Sequence, residues 1–472
     1  MNKRWAEIVA GMSVFSTMSY IMFVNPLILS GAGMSASAVF FATCLVAGLG
    51  SILLGLGAGT PTALAPAMGL NVFFVEYIKA NNLPWQVGLV ICAITGFLFF
   101  LLTVTRWRKR IVDALPQAII FAVSTAIGTV LLEAGLRFVG IEPALMGGKA
   151  RFDKIALGLF VLGLALLFLF DVVVKEIARS RQSTSIFLVA SLGPILSIVV
   201  LTAICHFFFP TYLSPPIRAD KFWIWQGEIE KLSSLVNPQM LATGLAMGVV
   251  ILYVLLADIV GTARNPQLVP RGDDAPAHEA KIERAFLWES AASALSPVAG
   301  TTPTVCYAEN LVGPMVARLT RGDSTDRPVA LGGLPAVIVG GLFLLFGAIG
   351  YAAYARGGEM SEIFPKIAIA PTLFYIGIYI IAQSLREQVA GVSSDAGQLR
   401  NVDFTQWVPA AIAITLIPFV RLDYALGLGI VSYFLIAVGR RQWDVLANGP
   451  LFVFALLAVF AMAMKLMFAP DG

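Results

Sequence analysis

The sequence predicts an all-α polytopic membrane protein of 14 transmembrane segments in two inverted seven-span repeats, with short extended segments inside spans 3 and 10. Three observations carry that prediction. Of 472 residues, 58% are hydrophobic and only 13% charged, against about 25% charged in soluble domains. Apolar segments of about 20 residues, the length a bilayer core demands, recur along the whole chain. Two of them are broken in matching ways, at Gly59-Thr-Pro-Thr-Ala-Leu-Ala-Pro66 and at Gly300-Thr-Thr-Pro-Thr-Val-Cys-Tyr-Ala-Glu-Asn310.

In chain order the spans fall at 8–29, 37–57, the interrupted 59–80, 85–105, 115–136, 155–175 and 185–209. A polar stretch from Ser214 to Pro238 separates these from 240–262, 283–299, the interrupted 300–318, 329–351, 364–384, 406–421 and 423–438. Seven spans per half is odd, so equivalent elements cross in opposite directions. The charged triplet Arg421-Leu-Asp423 divides the last apolar run into two short, tilted spans. Leu451–Met467 is either a fifteenth span or a helix along the bundle.

Lys and Arg concentrate on cytoplasmic loops. With the amino terminus inside, those loops carry Lys3 and Arg4, Arg106–Arg110, Lys175–Arg181, Arg264–Arg284 and Arg318–Arg327. The basic outer segment Arg137–Lys154 runs against the rule. The amino terminus reads as a first span, not a removed signal peptide, because no cleavage site follows it.

The two breaks carry the functional argument. Proline this early cannot sit inside a spanning helix without orphaning backbone groups in lipid, so each break reads as extended backbone buried in protein and feeding a half-length helix. Such interruptions in corresponding positions of two halves point to a transporter's substrate site. Thr62 and Ala63 in the first break, and Thr304 and Val305 in the second, would offer backbone donors and acceptors to a ligand. Tyr307, with Phe73 or Phe74, would supply an aromatic wall.

Two carboxylates lie inside predicted spans, Asp258 and Glu309. An acid in a span costs about 2.5–3.5 kcal/mol on insertion scales and is a functional candidate by default. Glu309 stands in the first turn of the half-helix after Pro303, where free N–H groups and the helix dipole stabilise an anion. Either acid can also couple transport to proton movement. Asn25 and Asn71 read as structural, bonding backbone freed by the breaks. Glu133 and Glu289 read as proton-relay groups or as residues of an interface. Gly48-Leu-Gly50 and Gly55-Leu-Gly57 are spaced for close helix contact.

The same residues carry a family resemblance. Glu7-Ile-Val-Ala-Gly11, Tyr20-Ile-Met-Phe-Val-Asn-Pro26, Leu64-Ala-Pro-Ala-Met-Gly-Leu-Asn71, Asp258-Ile-Val-Gly-Thr262, Ala299-Gly-Thr-Thr-Pro-Thr304 and Tyr307-Ala-Glu-Asn310 resemble the nucleobase-cation symporters, the xanthine and uracil permease superfamily. Among its branches the hypoxanthine, guanine and adenine permeases are the most similar. The resemblance implies a core domain (1–110 and 237–355) and a gate domain (111–236 and 356–472). It implies proton-coupled purine import by an elevator-type movement across the cell membrane, from a multi-pass protein with a cytoplasmic amino terminus and a homodimeric assembly. It places the base against Asp258, Glu309 and backbone near Ala63, with Tyr307, Thr62, Thr304, Val305 and Ala308 around it.

The departures from the purine branch are Leu255 for a second aspartate, Ile259 for threonine, and Glu309-Asn310 for Glu-Ser. Thr262 stands where some uracil permeases carry histidine. The alternatives are a uracil or xanthine permease, or an anion transporter of the sulfate-carrier type. Four scattered cysteines and two separated histidines form no metal or disulfide pattern. No nucleophile constellation or phosphate loop points to an enzyme or to a cofactor, and a net charge of +4 spread through loops argues against nucleic acid.

Overall fold

The computed structural model describes residues 3–108, 110, 117–141, 153–181, 183–212, 221–230, 238–262, 275–321, 331–355 and 365–393, with isolated positions between 408 and 441. The expected spans 406–421 and 423–438, and the segment Leu451–Met467, otherwise lie outside the described residues.

The chain opens with α1 (Lys3–Met18) and α2 (Ile21–Ser30), which together make one candidate span, Arg4–Ser30, where the sequence predicts one. The interruption has a local cause. Ser13, Ser16, Thr17 and Ser19 all turn their hydroxyls back onto carbonyls three or four residues earlier, a pattern that bends helices. α3 (Ala36–Ala58) starts on the Ser35 cap and stops at Gly59, which is left-handed at φ +66°.

Beyond it, strand β1 (Leu64–Pro66) leads to the half-helix α4 (Met68–Ala80). Thirteen residues at about 1.5 Å each fall short of the roughly 30 Å hydrocarbon core. α5 (Trp85–Val104) and α6 (Gln117–Phe138) follow. α7 (Lys154–Phe168) passes through a π-helical turn (Leu169–Val174) into α8 (Lys175–Ser180). α9 (Thr184–Ser191) and α10 (Gly193–Phe208) meet at a 54° bend, with proline in the first turn of α10.

α11 (Pro238–Thr262) precedes α12 (Ala275–Ala299), which ends at Gly300 with φ +113°. Strand β2 (Thr304–Cys306), a 3-10 turn (Ala308–Leu311) and the ten-residue α13 (Val312–Arg321) make the second break. α14 (Leu334–Ala355) and α15 (Lys366–Ser393) complete the described helices.

Among the described residues, five helical stretches are long and apolar enough to cross a membrane: Arg4–Ser30, Ala36–Ala58, Trp85–Val104, Lys154–Ala178 and Leu334–Ala352. The bent pair α9–α10 makes a sixth if it is one span.

Packing follows the small residues. α3 lies against α14 with Gly48 opposite Gly340 and Gly55 opposite Gly333, backbone against backbone. The glycines singled out in the sequence therefore do set a close helix contact. Gly128 of α6 meets Gly377 of α15 in the same manner. α6, α7, α10 and α15 pack on one another, α2 and α3 pack on β1, and α11 and α12 pack on β2, with α6 also meeting α4 and α11.

Candidate functional site

The two breaks are joined. β1 and β2 form a two-stranded antiparallel ladder with Leu64 opposite Cys306, Ala65 opposite Val305 and Pro66 opposite Thr304. The Ala67 N–H extends it by donating to the Pro303 carbonyl at 3.2 Å. Every residue of both strands is buried. Two strands expose outward-facing backbone groups on each edge, and in a dry interior these need partners. The Leu64 N–H finds Ser51 Oγ of α3 at 2.9 Å. On the other edge the Cys306 N–H donates to Glu289 Oε1 of α12 at 3.2 Å, and the Thr304 carbonyl accepts from the Ser293 hydroxyl.

Side chains then tie each break to the other. Asn310 acts as a further rung: its Oδ1 accepts from the Ala63 N–H at 2.8 Å, and its Nδ2 donates to the carbonyls of Ala63 (3.0 Å) and Tyr307 (2.8 Å). The Tyr307 hydroxyl donates to the Pro66 carbonyl and accepts from the Met68 N–H at 3.3 Å, so it sits at the head of α4. The Thr62 hydroxyl pairs with Thr60 at 2.9 Å, and the Ser296 hydroxyl reaches Thr304 Oγ1 at 3.4 Å.

A second hub is built on asparagines. Asn25 Nδ2 donates to Thr43 Oγ1 (2.7 Å) and Thr301 Oγ1 (2.9 Å), Asn71 donates to Asn25, and Thr302 donates to Asn71. The sequence reads Asn25 and Asn71 as bonding backbone freed by the breaks, and both are fully buried in this hub. Their bonds, however, go to side chains of the opposite break and of α3, not to freed backbone.

Glu309 heads the 3-10 turn that enters α13, with Ala308 opening that turn. Its Oε1 accepts from the Tyr20 hydroxyl at 3.1 Å, across 289 positions of sequence. Tyr20 stands at the interruption between α1 and α2, so a third break in regular helix converges on the same point. The Lys175 ammonium, at the end of the π turn, is near enough to act on Glu309 electrostatically. It pairs with Asp171, which also accepts from the Tyr375 hydroxyl of α15. Phe74 is fully buried and Phe73 stacks obliquely on Tyr77 at 5.6 Å within α4. Asp258 falls on α11, but its side chain lies outside the described residues.

The other two acids that the sequence singles out, Glu133 and Glu289, form ion pairs. Glu133 and Glu76 flank Arg137 at 2.8 and 3.0 Å. Glu289 pairs with Arg108 at 3.0 Å, with both side chains only 1% exposed. Arg108 reads in the sequence as one of a run of loop cations. The signal that would have found it is Glu289 itself: an acid in an apolar span demands a partner. Tyr20 and Asn310 also escaped separate notice, because what they touch lies some 250 to 290 positions away. Among the described residues no group of three or more His, Cys, Asp or Glu side chains is arranged to hold a metal ion.

A carboxylate, a phenol and the head of a short helix thus meet at a half-buried point held by hydrogen-bonded backbone from both halves. Such a constellation offers directional donors and acceptors to a small planar polar molecule.

Comparisons with known proteins agree with this architecture. A family model described as a permease family, that of the xanthine and uracil permeases, matches residues 6–350. The chain is similar to the adenine permease AdeQ of Escherichia coli (strain K12), 28% identical over 461 residues that cover 96% of this chain and 92% of that protein. It is similar to the guanine/hypoxanthine permease PbuO of Bacillus subtilis (strain 168), 24% identical over 446 residues, 93% of this chain and 92% of that one. Among solved structures, the transmembrane domain of the cyanobacterium bicarbonate transporter BicA superposes with a TM-score of 0.52 at 12% identity, covering 89% of this chain and 96% of that chain. The murine Solute Carrier 26 family member A9 anion transporter, inward-facing, gives 0.56 at 11% identity over 93% of this chain and 69% of that one. These two likenesses concern the fold.

Proposed function

The chain belongs to this permease family, and from that premise we propose that it is a secondary transporter carrying purine nucleobases across the cell membrane. The observation that carries the reading is the Glu309–Tyr20 pair at the head of the second half-helix. A purine edge presents N–H donors beside ring-nitrogen acceptors, and a carboxylate with a neighbouring phenol complements that alternation. The adenine and guanine/hypoxanthine permeases among its relatives support purine as the substrate class. An anion carrier of the same fold is the weaker reading, because a carboxylate at the ligand point repels an anionic cargo.

In this reading Glu309 holds the base, Asp258 holds a second edge or the coupling proton, and Tyr307, Thr62, Ala63, Thr304, Val305 and Ala308 shape the scaffold. Asn310 already occupies both backbone groups of Ala63, so the polar recognition falls to side chains more than to that backbone. Fourteen spans in inverted repeats are supported by the antiparallel ladder, which joins breaks running in opposite senses. The division into core (1–110 and 237–355) and gate (111–236 and 356–472) is supported by the mutual packing of α6, α7, α10 and α15, and an elevator-type movement of one against the other is the mode of transport in this reading. The amino terminus lies in the cytoplasm, the assembly is a homodimer, and proton binding at Glu309 or Asp258 couples transport to the pH gradient.

The test is uptake of radiolabelled adenine, guanine and hypoxanthine in a host lacking its own purine carriers, with and without an uncoupler. Saturable uptake, lost on uncoupling and reduced by Glu309→Gln, is expected. Uptake inhibited by bicarbonate or sulfate but by no base would reverse the assignment, and an unchanged Glu309→Gln variant would remove Glu309 from the site.

A further inference from the structure

The two strand edges are anchored by different chemistry. On the first, Ser51 alone serves Leu64, accepting from its N–H at 2.9 Å and donating to its carbonyl at 3.3 Å. On the second, Ser293 takes the Thr304 carbonyl and a charged pair takes the Cys306 N–H. Arg108 lies between the rings of Phe99 (4.4 Å) and Phe286 (4.3 Å) and also donates to the Phe286 carbonyl at 3.0 Å. It thus reaches Glu289 from a fixed direction, with its guanidinium carbon over both rings. Glu289 then spends one oxygen on Arg108 and the other on Cys306. Glu309 is three residues beyond Cys306, with Tyr307 and Ala308 between.

A buried ion pair is costly, and replacing both partners by apolar residues is often neutral or stabilising. A serine satisfies the equivalent edge in the first half, so backbone satisfaction alone does not require a charge here. What Glu289 adds is an acceptor at a fixed place: its carboxylate, neutralised and oriented by Arg108, holds the Cys306 N–H and so sets β2 against α12. The geometry points to Glu289 as a positioning residue for substrate binding, which through β2 sets the carboxylate of Glu309, with Arg108 as the partner that balances its buried charge. This rests on the reading of Glu309 as the group that holds the base.

Two double variants separate positioning from stability. Arg108→Met with Glu289→Gln removes both charges but keeps an oxygen to accept from Cys306. Arg108→Met with Glu289→Leu removes the acceptor as well. Both dispense with an unpaired buried charge, so both should fold, as checked by gel filtration and thermal unfolding in detergent. Purine transport is expected to keep its KM within about threefold of the parent in the Gln variant. In the Leu variant KM should rise about tenfold or more, with kcat changed far less, as the loss of one buried hydrogen bond predicts.

A second readout does not depend on transport. Hydrogen exchange of the segment spanning residues 300–310 should be slow in the parent and the Gln variant, and at least about tenfold faster in the Leu variant. Equal KM values and equal exchange in the two variants would overturn the proposal. Exchange that divides the variants while the parent moves no purine would leave the positioning role of Glu289 standing and remove the transport reading instead.

Discussion

Asn310 gives the sharpest test of how the site is held. Its side-chain amide is fully buried and makes three bonds to backbone, at 2.8, 3.0 and 2.8 Å, two of them to the opposite break. Asn310→Ala leaves the Ala63 N–H without its acceptor, at a cost of about 1–3 kcal/mol, and removes two donors to carbonyls worth about 0.5–1.5 kcal/mol each. A water entering the vacated space recovers part of this, so about 3 kcal/mol is the expected loss.

Asn310→Asp should be worse, although it is nearly isosteric. Its carboxylate accepts from the Ala63 N–H but faces the carbonyl oxygens of Ala63 and Tyr307 with no proton to give. The assay is thermal unfolding in detergent, with the shift produced by saturating adenine or hypoxanthine as a second measure. The expected order of stability is parent, then alanine, then aspartate, with the ligand-induced shift reduced in both variants. An aspartate variant as stable as the parent would refute the assignment of Asn310 as a backbone rung.

Three further outcomes are expected. Tyr20→Phe deletes the donor to Glu309 while keeping the ring; a hydrogen bond to a charged group is worth about 1.5–3 kcal/mol, so purine affinity by calorimetry should fall about tenfold or more, and an unchanged affinity would detach Tyr20 from the site. On α14, Gly340→Ala drives a methyl into the Gly48 carbonyl and Ile52 and should cost about 1–3 kcal/mol, whereas at the adjacent Gly341 nothing lies within 4 Å, so Gly341→Ala should be neutral or stabilising by up to about 1 kcal/mol; equal melting temperatures would contradict the glycine contact. Outside the spans, the Tyr212 hydroxyl and the Ile155 and Ala156 N–H groups hold the exposed Asp153 carboxyl below the usual carboxylate range, so its support of the start of α7 is complete at neutral pH and lost as pH falls through that lowered value. Tyr212 is pushed up to about 12, chiefly by the same bond, and its share fades only as pH rises through that value; Tyr212→Phe should move the Asp153 titration upward in carbon-detected NMR, and an unmoved titration would deny the bond.

What the sequence makes legible is local. Pro61 and Pro303 announce their breaks because proline in a span orphans a carbonyl whatever surrounds it, and Gly48 and Gly55 announce a close contact because a bare backbone in an apolar helix is otherwise a waste of packing. Glu309 is visible because an acid in lipid is costly wherever it sits. The interruption at Ser19-Tyr20 was less visible, since serine and threonine bend a helix only when their hydroxyls turn back on it. Least legible were the partners. Nothing in the run Arg106-Trp-Arg-Lys-Arg110 says which arginine goes inside; that is decided by Phe99, Phe286 and Glu289, which are contributed by two different helices. The register of β1 on β2 is invisible for the same reason, because three-residue strands carry no alternation from which pairing can be read.

The ladder also constrains how the site can work. Both breaks are buried on every strand residue and share rungs at Ala63–Asn310, Ala67–Pro303 and Tyr307–Pro66. Sliding one half-helix past the other would break these bonds together in a dry interior, at about 1–3 kcal/mol for each group left unsatisfied. The two breaks therefore move as one piece. Under the transport reading proposed above, access alternates by displacement of that piece against its surroundings, and the contacts that change are those on its outside. Lys175 is such a contact: it opens α8 directly after the π turn of a helix packed with α9 and α15, and it lies near enough to Glu309 for the two charges to interact. Lys175→Met should then alter the rate of exchange between inward- and outward-facing states more than it alters purine affinity. Measured as counterflow against equilibrium binding in proteoliposomes, an affinity loss with unchanged counterflow would place Lys175 inside the binding unit and make the ladder a moving part.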